Sequence, residues 1–386
     1  MKVRIFIVLA VVAGLVILNG SFFKAEAKTQ WLKKAQLGQF APAKQDWKAI
    51  EAAARKEGKV VIYSVSSRIF KLQKEFKKKY GVEIVGYDIA SGDQMQKFGR
   101  EYKAGVYQVD VLFNNSTPEL LAKFLPKKMV WKFVPSTVEH LLAKNEKEPL
   151  LVQRWSSRVL IYNSALNPGG PPIDNLWDLT RKEWKGKVLT PDPLSGVMAN
   201  VFQTILQHPD EMAAAYEKEF GKPVKLSSGM KNAAEEWFMR FVKNDAVVGG
   251  GTTKIFKGIA NVKQKDPPIG FTTFSKLRSV KKGVYEAAAF YDLEPVFGGA
   301  YPTVFCIADQ APHPNAAKLL IQYMVGEGLW AWNVLGDYAA RSDVEAQQVK
   351  KFKVPPFEKA KLWVIDPAYV YDTRVKYAEF YMGISP

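Results

Sequence analysis

Residues Lys59 to Ile89 read KVVIYSVSSRIFKLQKEFKKKYGVEIVGYDI, and their pattern decides the fold. Val60, Val61, Ile62 and Tyr63 form an apolar, β-branched run too short for a helix, so it reads as a buried strand. Ser64, Ser66, Ser67 and Arg68 follow in a polar loop. Ile69, Leu72, Phe76 and Tyr80 then recur at helical spacing, with Lys71, Lys74, Lys78 and Lys79 mostly on the opposite side and Gly81 as the stop. Val82 to Val85 restarts as a strand, which completes a βαβ unit. Its serines and arginine lie at the carboxyl end of the first strand and at a helix start, the place where open α/β sheets bind ligands. Helix-start N–H groups, hydroxyls and a guanidinium together suit an anion. A capped helix with a solvated arginine reads the same residues equally well.

The strand, polar loop, helix pattern repeats outward from this unit. Val109 to Phe113 is a strand running into Asn114, Asn115, Ser116 and Thr117, with Pro118 at the first helical position. Lys187 to Thr190 runs into Asp192, Ser195 and Gly196 ahead of a helix. Ala246 to Val248 runs into Gly249, Gly250, Gly251, Thr252 and Thr253, and Ile269 to Thr273 gives a further strand. After Thr273 comes a basic stretch with Lys276, Arg278, Lys281 and Lys282, read as solvated. Leu150 to Tyr162 reads as two apolar strands around the polar centre Arg154, Ser156 and Arg158, a crossing between domains. Tyr285 to Ile307 reads as strands broken by Pro295, Gly298 and Pro302, and Pro314 opens a strong helix. The segments Lys28 to Ala43 and beyond Pro355 show no clear period.

Composition narrows the function classes. Lys2 and Arg4 precede an apolar run from Ile5 to Leu18 and an A-x-A sequence at Ala25 to Ala27, the pattern of a secretory signal peptide over residues 1–27. Cleavage or retention as a single anchor are both open, but no second long apolar run follows, which argues against a multi-span membrane protein. Cys306 is the only cysteine, so no intramolecular disulfide and no lipid-acceptor cysteine at the cleavage point is possible. With 386 residues, 47% of them hydrophobic, the chain has material for two packed domains. The formal charge of +17 is spread along amphipathic helices without a basic tract or nucleic-acid module, so the expected partner is a small anion or an anionic envelope and not nucleic acid.

Catalytic and metal motifs are missing. His140, His208 and His313 are far apart in sequence, no H-E-x-x-H or C-x-x-C occurs, and Ser195 lacks a G-x-S-x-G elbow. The polar loops therefore read as a binding site, with Ser64, Ser66, Ser67, Arg68, Asn115, Ser116, Arg154, Ser156, Arg158, Asp192, Ser195, Gly196, Gly250, Gly251 and Thr252 as candidate ligand contacts. No catalytic residue, metal ligand or cofactor is expected.

In its order of motifs the chain resembles the extracytoplasmic solute-binding proteins of ABC importers, in the group related to ferric-iron and sugar-phosphate binders. The V-V-I-Y-S-V-S-S-R opening, Y-K-A-G-V-Y-Q-V-D-V-L-F, R-V-L-I-Y-N, W-D-L-T-R-K-E-W-K-G-K-V, F-V-K-N-D-A-V-V and H-P-N-A-A-K-L-L-I-Q-Y-M carry the resemblance, over roughly Lys59 to Val344. It implies an α/β, two-lobe type II periplasmic-binding fold that closes by hinge motion over a ligand in the interlobe cleft. Lobe 1 is expected at 46–153 and 286–330, lobe 2 at 154–285, and C-terminal helices and tail at 331–386. It further implies a non-enzymatic, monomeric receptor in the periplasm or another extracytoplasmic space that hands a small anionic solute, phosphorylated or carboxylated, to a membrane permease. His313 matches a structural helix-start position. Ferric binders of this type usually present adjacent tyrosines, and no Tyr-Tyr pair exists here, so the anion is the first expectation and ferric iron the alternative. An exported hydrolase using the same cleft and an adhesion module for acidic polymers are the other classes in play.

Overall fold

The structure, a computed structural model, describes residues 26–385. The expected signal peptide therefore falls almost wholly outside the described residues. The first described segment, 26–35, is a helix (α1), where the sequence showed no period. Tertiary contacts explain it: Trp31 Nε1 donates to the Ala311 carbonyl at 3.0 Å, and Lys28 pairs with the buried Asp309 at 2.8 Å.

The elements that follow are α2 (Trp47–Glu57), β1 (Lys59–Ser64), α3 (Gln73–Tyr80), β2 (Glu83–Asp88), α4 (Ser91–Lys103), β3 (Val111–Asn114), a short α5 (Thr117–Glu119), β4 (Val130–Trp131), α6 (Lys144–Lys147) and β5 (Leu151–Tyr162). Next come β6 (Val188–Thr190), α7 (Gly196–Gln207), α8 (Pro209–Phe220), α9 (Ala233–Lys243), β7 (Val247–Val248), α10 (Thr252–Ala260), β8 (Ile269–Thr273), β9 (Ala288–Ala289) and β10 (Gly298–Ala308). The chain ends with α11 (Pro314–Val325), β11 (Asp337–Ala339), α12 (Ser342–Phe352), β12 (Leu362–Val364) and α13 (Pro367–Ile384).

One sheet carries them in the order β2-β1-β3-β10-β5-β8-β6-β7. The βαβ expectation from Lys59 to Ile89 holds, with β1 parallel to both β2 and β3. On the other side β6 is parallel to β7 and β8. Between these groups β5 and β10 run antiparallel to each other, β10 reaching β3 with its second half and β5 reaching β8 with its second half. Two long strands thus connect two α/β lobes.

Three local readings change. Leu151 to Tyr162 is a single strand, because its polar residues Arg154, Ser156 and Arg158 alternate onto one face instead of interrupting it. β10 runs through Pro302, a residue that central strands normally exclude. At that point β10 pairs only with β5, since its pairing with β12 ends at Ala300 and that with β3 begins at Val304. Leu176, Trp177, Leu179 and Trp184 by their spacing suggest one short helix before Gly186, and the segment instead forms two 3-10 turns, Leu176–Thr180 and Lys182–Trp184.

Candidate functional site

The strand periodicity of β5 builds the site. Arg154, Ser156 and Arg158, spaced by two, all line a cavity of about 450 Å³ between the lobes. A bulge between Thr303 and Val304 leaves Gln153 without a partner on β10, next to Arg154. From the first lobe come Ser66, Ser67, Arg68 and Lys71, and from the second Thr252, Thr273, Ser275, Lys276 and Arg278. Six cationic side chains line this space against two carboxylates, Asp88 and Asp337.

Asp337 is buried and holds the centre together. Its Oδ2 accepts from Arg68 at 2.9 Å, and its Oδ1 accepts from the Ser156 hydroxyl at 2.8 Å. Arg154 Nε lies 3.6 Å from Oδ1, within reach of Coulomb attraction but too far for a hydrogen bond. The Arg154 guanidinium lies 5.2 Å from the centre of the Phe113 ring and donates to Gln153 at 2.6 Å. Burial pulls its pKa down to about 10 against the opposing pull of Asp337. Only a glycine suits the residue before Asp337: Gly336 has φ +83°, and a Cβ there would stand 2.5 Å from the Phe274 carbonyl carbon.

The remaining cations are uncompensated. Among the described residues Arg158, Lys276 and Arg278 have no carboxylate within ion-pair distance, and the Arg158 Nε is buried without a hydrogen-bond partner. Arg158 does donate to the Thr273 hydroxyl, and Lys276 donates to the Thr253 hydroxyl at 2.6 Å. Burial, then the nearby Arg278, Arg158 and Arg68, depresses the Lys276 pKa. Arg158 and Lys276 are half-buried and Arg278 is exposed, so their mutual repulsion, with no counter-charge, is what an anion between them would relieve.

The sequence candidates separate into groups. Ser66, Ser67, Arg68, Asn115, Arg154, Ser156, Arg158 and Thr252 line the cationic cavity. Ser116 and Gly196 line an adjoining one, which shares Asn115 and Arg158 with the first. Ser64 is buried, its hydroxyl donating to the Ser66 carbonyl at 2.9 Å, and Asp192 accepts from the Leu194 N–H at 2.9 Å. Ser64, Asp192, Ser195, Gly250 and Gly251 line neither cavity. Arg68 departs from both of its expected environments. It occupies a 3-10 turn, Ser67–Lys71, ahead of α3, so it does not stand at an α-helix start, and its side chain is 12% exposed and paired, so it is not solvated.

Sequence reasoning passed over Thr273, Ser275, Lys276, Arg278, Tyr301 and Asp337. The rule applied to the other strands, polar residues at a carboxyl end, would have found Thr273 to Lys276 after β8. No local signal marks Asp337. Of the histidines, His313 precedes α11, with its ring Nδ1 3.0 Å from Asp110, and His208 stacks on Trp363. The described residues contain one acidic group of metal-binding geometry, Asp174, Asp178 and Glu219, in which Arg181 pairs with Asp178 and Glu219.

No family model matches the chain, and no curated protein matches it. Solved structures do. Iron-bound HitA from Pseudomonas aeruginosa is 18% identical with a TM-score of 0.62, over 85% of this chain and 99% of that one. Apo ferric ion-binding protein A from Pasteurella haemolytica is 16% identical with a TM-score of 0.63, over 85% and 98%. The periplasmic binding protein AgtB from A. tumefaciens R10, in complex with agropinic acid, is 15% identical with a TM-score of 0.59, over 84% and 99%. At such identities the likeness shows the fold, the two-lobe type II periplasmic-binding-protein architecture. No helix of the described residues is long and apolar enough to cross a membrane.

Proposed function

We propose that the chain is the solute-binding component of an ABC importer, which captures a small organic anion between its lobes and delivers it to a membrane permease. One observation carries the anionic part of this reading: six cations line the cleft against two carboxylates, and Arg158, Lys276 and Arg278 have no ion-pair partner among the described residues. A phosphate or carboxylate group would receive charge-assisted hydrogen bonds from several of them at once. The lining holds no histidine or cysteine, and its one hydroxyl beside a carboxylate, Ser156 on Asp337, meets a carboxylate already paired with Arg68, so the geometry favours holding a solute over converting it. In this reading the protein acts outside the cytoplasm as a monomer, and nucleic acid is not its partner.

The comparisons support a second reading, ferric-iron transport, since two of the similar structures are titled as an iron-bound protein and a ferric ion-binding protein. A bare ferric ion would need several anionic oxygens, whereas this cleft offers Asp88, Asp337 and Tyr301, the last with its pKa raised by burial. A ferric ion wrapped in an anionic chelate would suit the cations.

Native mass spectrometry of protein purified from cells, followed by calorimetry with phosphorylated and carboxylated compounds and with ferric citrate, tests both. Binding of metal-free anions supports the first reading. Binding of ferric iron alone, with a visible tyrosinate charge-transfer band, would replace it with the second.

A further inference from the structure

The cleft does not end at the cationic cavity. Beyond Val65, Asn115 and Arg158, which border both spaces, lies a second cavity of about 560 Å³ whose far wall is α13. Its lining is different in kind. Ser91, Asn115, Ser116, Asn200 and Gln203 supply hydroxyl and amide groups and Tyr371 an aromatic wall, while of its charged residues Arg158 borders the first cavity, Glu119 pairs with Lys123 at 3.3 Å and Arg374 lies 4.0 Å over the Tyr371 ring. Among the described residues the side chains of Ser116 and Asn200 and the hydroxyl of Tyr371 have no hydrogen-bond partner.

The wall is fixed in place from both sides. Asp366 caps the start of α13 by accepting from the Ala368 N–H at 2.9 Å. Val370 and Tyr377 are buried, and toward the second lobe Tyr377 donates to the Pro193 carbonyl at 2.6 Å and Thr373 donates to Gln203 at 3.0 Å. Toward the first lobe α13 packs on α5, and Lys123 lies over the Tyr371 ring at 5.9 Å. The tail whose sequence shows no period thus spans the cleft.

We propose that α13 closes this end of the cleft into a compartment for the uncharged, hydrogen-bonding body of the solute, whose anionic head sits among Arg68, Arg154, Arg158 and Lys276. The inference rests on the anion reading above and narrows it to anions that carry hydroxyl or amide groups. The volume is in the range of small-molecule sites, and the unpartnered amide of Asn200 and hydroxyl of Ser116, one from each lobe, both line it. A bare phosphate would leave these groups unused.

Calorimetry at constant ionic strength with inorganic phosphate, glycerol 3-phosphate and glucose 6-phosphate separates head from body. Affinity is expected to rise along this series. Asn200→Leu is expected to weaken glucose 6-phosphate about tenfold while leaving inorganic phosphate unchanged. Tyr371→Ala, on the half-exposed face of α13, is expected to act in the same selective way, and thermal melting of both variants checks that they fold. Equal affinity for the three probes in the wild type, or parallel losses for all three in the folded variants, overturns the compartment and leaves the anion reading standing. No binding of any of the three overturns both.

Discussion

Two buried aspartates, one just before a central strand and one on an edge strand of the same sheet, do different work. Asp110, beside β3, accepts from the Val61 N–H at 2.7 Å, from the His313 N–H at 2.7 Å and from the His313 ring, so its charge is answered within one lobe by backbone and a neighbouring side chain. Asp337, on β11, is answered by Arg68, Ser156 and Arg154, all of them on the wall of a cavity. The first clasps β1 to the start of α11. The second holds back part of a positive field that would otherwise be unopposed. The partners of a buried carboxylate, more than its burial, separate a structural clasp from a candidate binding group.

The largest effect is expected at Asp337. Asp337→Asn leaves Arg154 buried without its counter-charge, a change that costs about 3–5 kcal/mol for buried pairs. Urea denaturation should show a loss of that order without ligand, and saturating phosphate should restore part of it by taking the carboxylate's place. Asp110→Asn should cost less, about 1–3 kcal/mol, because the new amide must face one of the N–H donors with a donor of its own. Phosphate should not reduce that cost. If both variants respond alike to phosphate, the distinction between clasp and site is lost.

A smaller effect is expected from pH. The Lys276 pKa is lowered in the folded chain, so its charge costs stability at pH values below the folded pKa, and the cost is relieved as pH rises from there toward the unfolded value. A bound anion would raise that pKa again. Beyond the change in phosphate's own charge, affinity should therefore fall as pH rises through the Lys276 pKa, and Lys276→Arg should remove that part of the fall. The His313 pKa is raised, first by its hydrogen bond to Asp110. Its stabilising contribution is complete below the ordinary histidine value and is lost as pH rises through the raised one, and His313→Gln should abolish this dependence without changing anion affinity.

How much of this was legible follows from what each residue contacts. β1, α3 and β2 are set by apolar periods within thirty or so residues, and the serines and Arg68 were found because they follow a strand. The spacing of Arg154, Ser156 and Arg158 was visible, but a polar centre in an apolar run looks like a break until the strand is known to border a cavity. Lys276 and Arg278 stood with Lys281 and Lys282 in a basic stretch, and sequence alone cannot tell cations turned into a cleft from cations turned to water. In the structure Arg278, Lys281 and Lys282 are all exposed while Lys276 is half-buried, and Arg278 differs from the two lysines only in bordering the cavity. Asp337 and α13 reach the site through contacts with segments more than a hundred residues away, which leave no mark on local pattern.

The central claim is that the unpaired cations of the cleft bind an anion, and Arg158 tests it best because its Nε is buried without a partner and no carboxylate opposes it. Calorimetric titration of the wild type and of Arg158→Ala with glucose 6-phosphate, at one ionic strength and with melting curves for both, is the direct measurement. Charge-assisted hydrogen bonds are worth about 1.5–3 kcal/mol, so the account predicts a loss of about ten- to hundredfold in affinity in a folded variant. Equal affinities, or a wild type that binds no anion while taking up bare ferric iron, would contradict it.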